Sequence, residues 1–227
     1  MIIFQRKGAE MIRESQGDLK KRVSKIITIL KKHYPNATTA LHYRNPLELL
    51  VATILSAQCT DERVNAVTKE LFKKYKSAED YAKADLKQFE QEIRTTGFYH
   101  NKAKNVIAAA KQIVERFGGK VPDNMDDLLS LPGVARKTAN VVLGNAFGKN
   151  EGIVVDTHVR RVAYRLGLTE QKDAGKIEAD LMKLVPQSQW TFFGNALILH
   201  GRAYCNARKP NCDECPLKKL CPMVGVD

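Results

Sequence analysis

From Asp18 to the cysteine-rich C-terminus, apolar residues recur at the three-and-four spacing of amphipathic helices, and runs suited to strands are nearly missing. Leu19, Val23, Ile26, Ile27 and Leu30 form one stripe that ends at Tyr34-Pro35. Asn45-Pro46 opens a second helix with a cap and a first-turn proline, and Glu48 completes a capping-box-like arrangement ahead of Leu50, Val51, Ile54 and Leu55. Further helices are expected over 61–75, 77–83, 85–95, 101–117, 123–130, 136–147, 157–166, 173–185 and 189–202, several closed by glycine. Only Ile153-Val154-Val155 is β-branched throughout, and three residues between helices suit a buried extended connector better than a sheet. The reading is all-α, without a fixed-period repeat.

The 227 residues, 44% hydrophobic, suffice for one large or two small cores. Lys and Arg outnumber Asp and Glu by 37 to 25, leaving +12. An excess of that size attracts a polyanion by direct attraction and counterion release, and nucleic acid is the expected partner; a basic but inert surface is the alternative. Met1 to Lys7 lacks the apolar run of a secretion signal, and no later stretch approaches the ~18 apolar residues of a membrane span. A soluble, reducing compartment is therefore expected. Residues 1–18 read as a basic disordered leader or a short extra helix.

Four of the five cysteines fall in the order Cys205-x6-Cys212-x2-Cys215-x5-Cys221. Thiolates two residues apart reach one centre from a single tight turn, and they select zinc or iron-sulfur over hard cations. One CxxC flanked by single cysteines, with prolines after Cys215 and Cys221, favours one four-iron cluster wrapped by one loop; zinc is the alternative. Cys59 stands apart and reads as a small core or near-surface residue. Arg208 and Lys209 lie between the first two ligands, where a fixed loop would hold them ready for a phosphate.

The segment Leu131-Pro132-Gly133-Val134-Ala135-Arg136-Lys137-Thr138-Ala139 joins two helical runs. Gly133 has no Cβ to keep a phosphate away, and the following helix starts with amides aimed back into the turn. Lys137 sits at the positive end of that helix, where an acidic residue would ordinarily be favoured. The dipole, Arg136 and partial burial would each disfavour its charge, and a neutral amine attacks electrophilic carbon. From the residues alone, Lys137 reads as a phosphate ligand or as a nucleophile. Asp156 follows the apolar connector and precedes a helix, as a capping carboxylate or a catalytic one.

The hairpin segment, Val155-Asp156-Thr157-His158-Val159, Ser56-Ala57-Gln58-Cys59-Thr60-Asp61 and the cysteine loop together resemble endonuclease III, in the same order and at similar separations from about residue 20 onward. The resemblance implies a two-lobed helix-hairpin-helix DNA glycosylase fold. Residues 39–150 would form a six-helix domain with the hairpin at about 124–147. Residues 1–38 and 151–227 would form the second lobe, with a 4Fe-4S cluster held at 205–221 by Cys205, Cys212, Cys215 and Cys221. DNA would lie across the cleft between the lobes. The implied activity is removal of oxidised pyrimidines from duplex DNA and cleavage 3′ to the abasic site, by a monomer acting in the cytoplasm on chromosomal DNA.

Carried over by position, Lys137 is similar to the family's Schiff-base lysine and Asp156 to its catalytic aspartate. Gln58 matches the residue that fills the gap left by a flipped base. Phe98 replaces the usual smaller aliphatic wedge and is read either as a stacking wedge or as core. Further DNA contacts are implied at Leu131, Gly133, Val134, Arg136, Thr138, His158, Arg208 and Lys209. Ala135 stands where a second glycine often occurs. An adenine-glycosylase relative would carry a catalytic glutamate where this chain has Ala52, and would lack Lys137; a non-catalytic DNA-binding module is the other alternative.

Overall fold

The computed structural model describes residues 3–7 and 10–226. Eleven α-helices are present among them: α1 Gln16–His33, α2 Pro46–Leu55, α3 Asp61–Lys74, α4 Ala78–Ala82, α5 Leu86–Glu92, α6 Tyr99–Phe117, α7 Met125–Leu129, α8 Arg136–Ala146, α9 Thr157–Arg165, α10 Ala174–Leu184 and α11 Trp190–Ala203. The all-α reading holds. One departure is the N-terminus, where β1 (Ile3–Lys7) pairs antiparallel with β2 (Glu10–Glu14), Ile3 opposite Glu14. A leader or helix was expected there. The Ile153–Val155 connector belongs to no helix or strand and is buried, as its composition suggests.

The chain divides into two compact units, Thr39–Lys149 and the combination of Met1–Thr38 with Asn150–Asp227. In the first, α2 starts as the sequence demands: Asn45 accepts from Glu48 N, Pro46 follows, and the Glu48 carboxylate accepts from Arg44 N at 2.7 Å. Every residue of α2 from Glu48 to Leu55 is buried. Tyr81 of α4 stacks on Tyr75, Phe89 of α5 meets both edge-to-face, and α6 packs along α4 with Val106 and Ile113 inward.

In the second unit the α1 stripe of Leu19, Val23, Ile26 and Leu30 packs with Val159 and Val162 of α9, Ile177 and Leu181 of α10, and Phe193 and Leu197 of α11. Each such side chain contributes ~1.5–3 kcal/mol when fully buried. Close packing of α9 on α11 depends on Gly201, where an added Cβ would stand 3.1 Å from His158 Cβ and 3.2 Å from Val162 Cγ2. Arg22 lies within the apolar stripe of α1. Its guanidinium pairs with Glu14 and donates to Leu166 O at 2.7 Å and Leu220 O at 3.0 Å, joining the ribbon, α9 and the cysteine loop.

Candidate active site and cysteine cavity

The hairpin is built by α7, a tight turn and α8. Leu131 N donates to Leu128 O and Val134 N donates to Leu131 O, which closes the turn. Gly133 takes φ +78°, and a Cβ there would come 2.8 Å from Asn105 Cβ, so glycine is required both by conformation and by the approach of α6. Ala135 has φ −92°, which any residue adopts; a second glycine is not needed. No side chain caps α8, so the N–H groups of its first turn have no side-chain acceptor from a capping residue.

Lys137 and Arg136 are exposed in the first turn of α8, and Thr138 is half-buried behind them. The burial expected to help neutralise Lys137 is not supplied by the folded chain. Leu131 and Val134, assigned above to DNA contact, turn their side chains into the core at 2% and 6% exposure. Their contribution to the surface is the backbone shape of the turn.

Phe98 settles its own ambiguity. It is 64% exposed, the largest exposure among the big hydrophobic residues described, and so is not core. Its backbone is left-handed at φ +48°, directly before α6. Gln58, also exposed, has φ +53° in the turn after α2. Of the three described non-glycine residues with positive φ, two are therefore the pair the sequence marked for base displacement. Such conformations cost ~1–3 kcal/mol each and persist where the surroundings impose them, a recurrent property of functional sites.

In the other unit Asp156 is the N-cap of α9. Its Oδ1 accepts from Val159 N at 2.8 Å, which orients the half-exposed carboxylate and ties it to the buried connector. Arg161 Nη2 and His158 Nδ1 lie 3.1 Å apart, and the half-buried imidazole is thereby held.

Cys205, Cys212, Cys215 and Cys221 line one cavity together with Val162, Leu217 and His200. None is in a disulfide. Among the described residues no three His, Cys, Asp or Glu side chains are grouped closely enough to hold a single metal ion. Burial pushes the Cys221 thiol up to about 11 and raises Cys215. Polar donors reach the sulfurs: Arg165 Nη1 donates to Cys205 at 3.4 Å and Met223 N to Cys221 at 3.4 Å. His200, whose imidazole burial lowers to about 4, places Nε2 3.4 Å from Cys215. Cys59 lies in the unit formed by Thr39–Lys149 and is half-buried.

Two arginines invisible to the motif reading organise this loop. Arg165 donates to Asn206 O at 2.6 Å and Ala207 O at 2.9 Å; Arg161 donates to Cys205 O at 2.9 Å and Gly201 O at 3.0 Å. Arg208 and Lys209 follow immediately, both exposed, on backbone that is now anchored. The signal available in the sequence was their spacing: Arg161 and Arg165 follow the apolar stripe of α9 at i,i+4, where an unpaired charge would be costly.

A family profile described as HhH-GPD superfamily base excision DNA repair protein matches residues 51–187. The endonuclease III of Synechocystis sp. is 58% identical over 203 residues, covering 89% of this chain and 93% of that one. A solved non-covalent endonuclease III-DNA complex is similar at TM-score 0.84 and 44% identity, covering 89% of this chain and 94% of its own. A trapped endonuclease III-DNA covalent intermediate gives the same score and identity, with 89% and 95% covered. A hairpin closed by Gly133, an exposed lysine on an uncapped helix and matches of this extent lead to one conclusion: the chain belongs to the HhH-GPD superfamily of base excision DNA repair proteins, in its endonuclease III branch.

Proposed function

We propose that the protein is a bifunctional DNA glycosylase and abasic-site lyase that removes oxidised pyrimidines from duplex DNA, with Lys137 as nucleophile. The observation that carries this reading is Lys137 itself, exposed in the first turn of uncapped α8 beside the Gly133 turn. The turn and helix end take backbone phosphate without reading sequence, as a scanning enzyme requires. A relative of 44% identity has been trapped covalently on DNA, as a Schiff-base mechanism predicts.

Phe98 and Gln58 displace the damaged nucleotide and occupy the space it leaves. Lys137 Nζ then bonds to C1′ while the C1′–N bond breaks, and the base departs with the electron pair and a proton. Loss of a proton from Nζ and opening of the sugar ring give an imine at C1′. Removal of a C2′ proton drives cleavage of the C3′–O bond, expelling the 3′ phosphate, and water releases Lys137. Asp156 is assigned to accepting a proton and stabilising the cationic sugar, each worth orders of magnitude in rate. Bound DNA would cover the exposed Lys137 amine and exclude water from it.

The cysteine cavity suits a 4Fe-4S cluster held by Cys205, Cys212, Cys215 and Cys221. When bound, such a cluster cross-links the chain across this loop, and four protein thiolates leave no open position for activating water. Its loop would present Arg208 and Lys209 to phosphates. Iron and acid-labile sulfide in the purified protein, with brown colour, test the cluster; a colourless zinc protein would refute it. We assign action to the cytoplasm, as a monomer on chromosomal DNA. No helix among the described residues is long and apolar enough to cross a membrane.

Borohydride treatment with abasic duplex DNA tests the chemistry. A covalent adduct is expected from the native protein and none from Lys137→Ala. An adenine-glycosylase type would release base without the adduct, and Ala52, fully buried in α2, offers no carboxylate for that route. A binding module would do neither.

A further inference from the structure

Lys102 lies on the apolar stripe of α6, four residues before Val106, and is only 4% exposed. Burial holds its ammonium below the usual lysine range, while the Cys59 thiol acts against that shift. An apolar side chain would fill this position at lower electrostatic cost, so the charge must serve some contact. That contact is the backbone around Phe98. Nζ donates to Thr96 O at 2.8 Å, and the backbone N of the same residue donates to Phe98 O at 3.1 Å. The side chain thus holds the carbonyl just before Gly97, which has φ +70°, and the strained Phe98, whose own carbonyl accepts the first backbone bond of α6. Thr96 is fixed in turn through Ile93 O, which accepts from its N at 2.9 Å and its Oγ1 at 2.8 Å.

We propose that Lys102 is a positioning residue for base displacement: its side chain clamps the loop that carries Phe98, so that this wedge is held ready before DNA arrives. It touches neither sugar nor base. The inference rests on the glycosylase and lyase reading above. A wedge that is already shaped loses little freedom on insertion, whereas a loop that must be ordered on DNA inserts less often.

The test uses full-length, cluster-loaded protein with Lys102→Met and Lys102→Arg. On duplex abasic DNA at saturating protein, Lys102→Met should slow the borohydride-trapped single-turnover rate by about 10- to 100-fold, with Kd changed by less than about 3-fold. On a single-stranded abasic oligonucleotide, where no duplex must be opened, its trapping rate should stay within about 2-fold of native. A duplex carrying a tetrahydrofuran abasic analogue opposite 2-aminopurine reads insertion without chemistry: native protein should raise the fluorescence and Lys102→Met should not. Lys102→Arg keeps the cation and a donor, and should recover most of both signals. Native duplex rate and fluorescence in Lys102→Met would overturn the proposal, as would equal losses on single and double strands. If Lys102→Met does not fold, Lys102→Arg decides: recovery supports the clamp and collapse of both signals in a folded protein refutes it. Failure of the native protein to form any adduct would defeat the lyase reading instead, and the fluorescence would still decide the role of Lys102.

Discussion

Asp156 does two things with one carboxylate, and the two can be separated. As N-cap it accepts from Val159 N; as the assigned catalytic group it needs its charge. Asparagine caps helices as well as aspartate, so Asp156→Asn should leave the melting temperature nearly unchanged while lowering the single-turnover glycosylase rate by about 10²–10⁴. Asp156→Ala should lose that rate and also about 1 kcal/mol of stability. A variant Asp156→Asn that keeps native turnover would return this residue to a purely structural role. Lys137 offers the opposite case. Being exposed, its removal should move stability by no more than about 0.5 kcal/mol, so a lost adduct reports chemistry and not folding.

At the scale of elements, the hairpin depends on one residue without a side chain. Gly133→Ala introduces a Cβ at φ +78° and 2.8 Å from Asn105 Cβ. Left-handed backbone alone costs an alanine ~1–2 kcal/mol, and Asn105 or the turn must also shift. We expect a melt lowered by at least that amount and weaker binding to undamaged duplex; full affinity would show that the turn does not hold phosphate. The short helix α4 gives a pH-dependent counterpart. Its capping box has Asp80 accepting from Lys76 N at 2.8 Å and Ser77 N at 3.0 Å, and the Lys76 backbone donor is the largest cause that holds this carboxyl below 3.8. Because the folded value lies below the unfolded one, the contribution is full above that pH and is lost as pH falls through the folded value. Thermal melts of Asp80→Asn should therefore lie below native at about pH 6, and the gap should narrow as pH falls below 3.8. A gap that persisted in acid would assign the difference to geometry, not charge.

For the whole molecule, +12 net charge predicts affinity that falls steeply with salt. If Lys209, on the loop anchored by Arg165, neutralises one phosphate, Lys209→Ala should weaken binding to every duplex sequence and reduce the logarithmic salt slope by about 0.9. An unchanged slope would remove it from the interface.

The helices, their caps and stops, the cysteine set and the hairpin were legible from sequence because each depends on residues within a few positions of one another: Asn45 before Pro46, Asp156 before Thr157, Gly133 within its turn. Periodicity also indicated which faces would be buried. Tertiary structure alone decided the rest. It placed Phe98 in solvent with a strained backbone, turned Leu131 and Val134 inward, paired Ile3–Lys7 with Glu10–Glu14, and gave Arg22, Arg165 and Lys102 their carbonyl partners. A buried cation on an apolar stripe signals that a partner exists. Which carbonyl it meets is set by packing between segments as far apart as Arg22 and Leu220, and no local pattern encodes that distance.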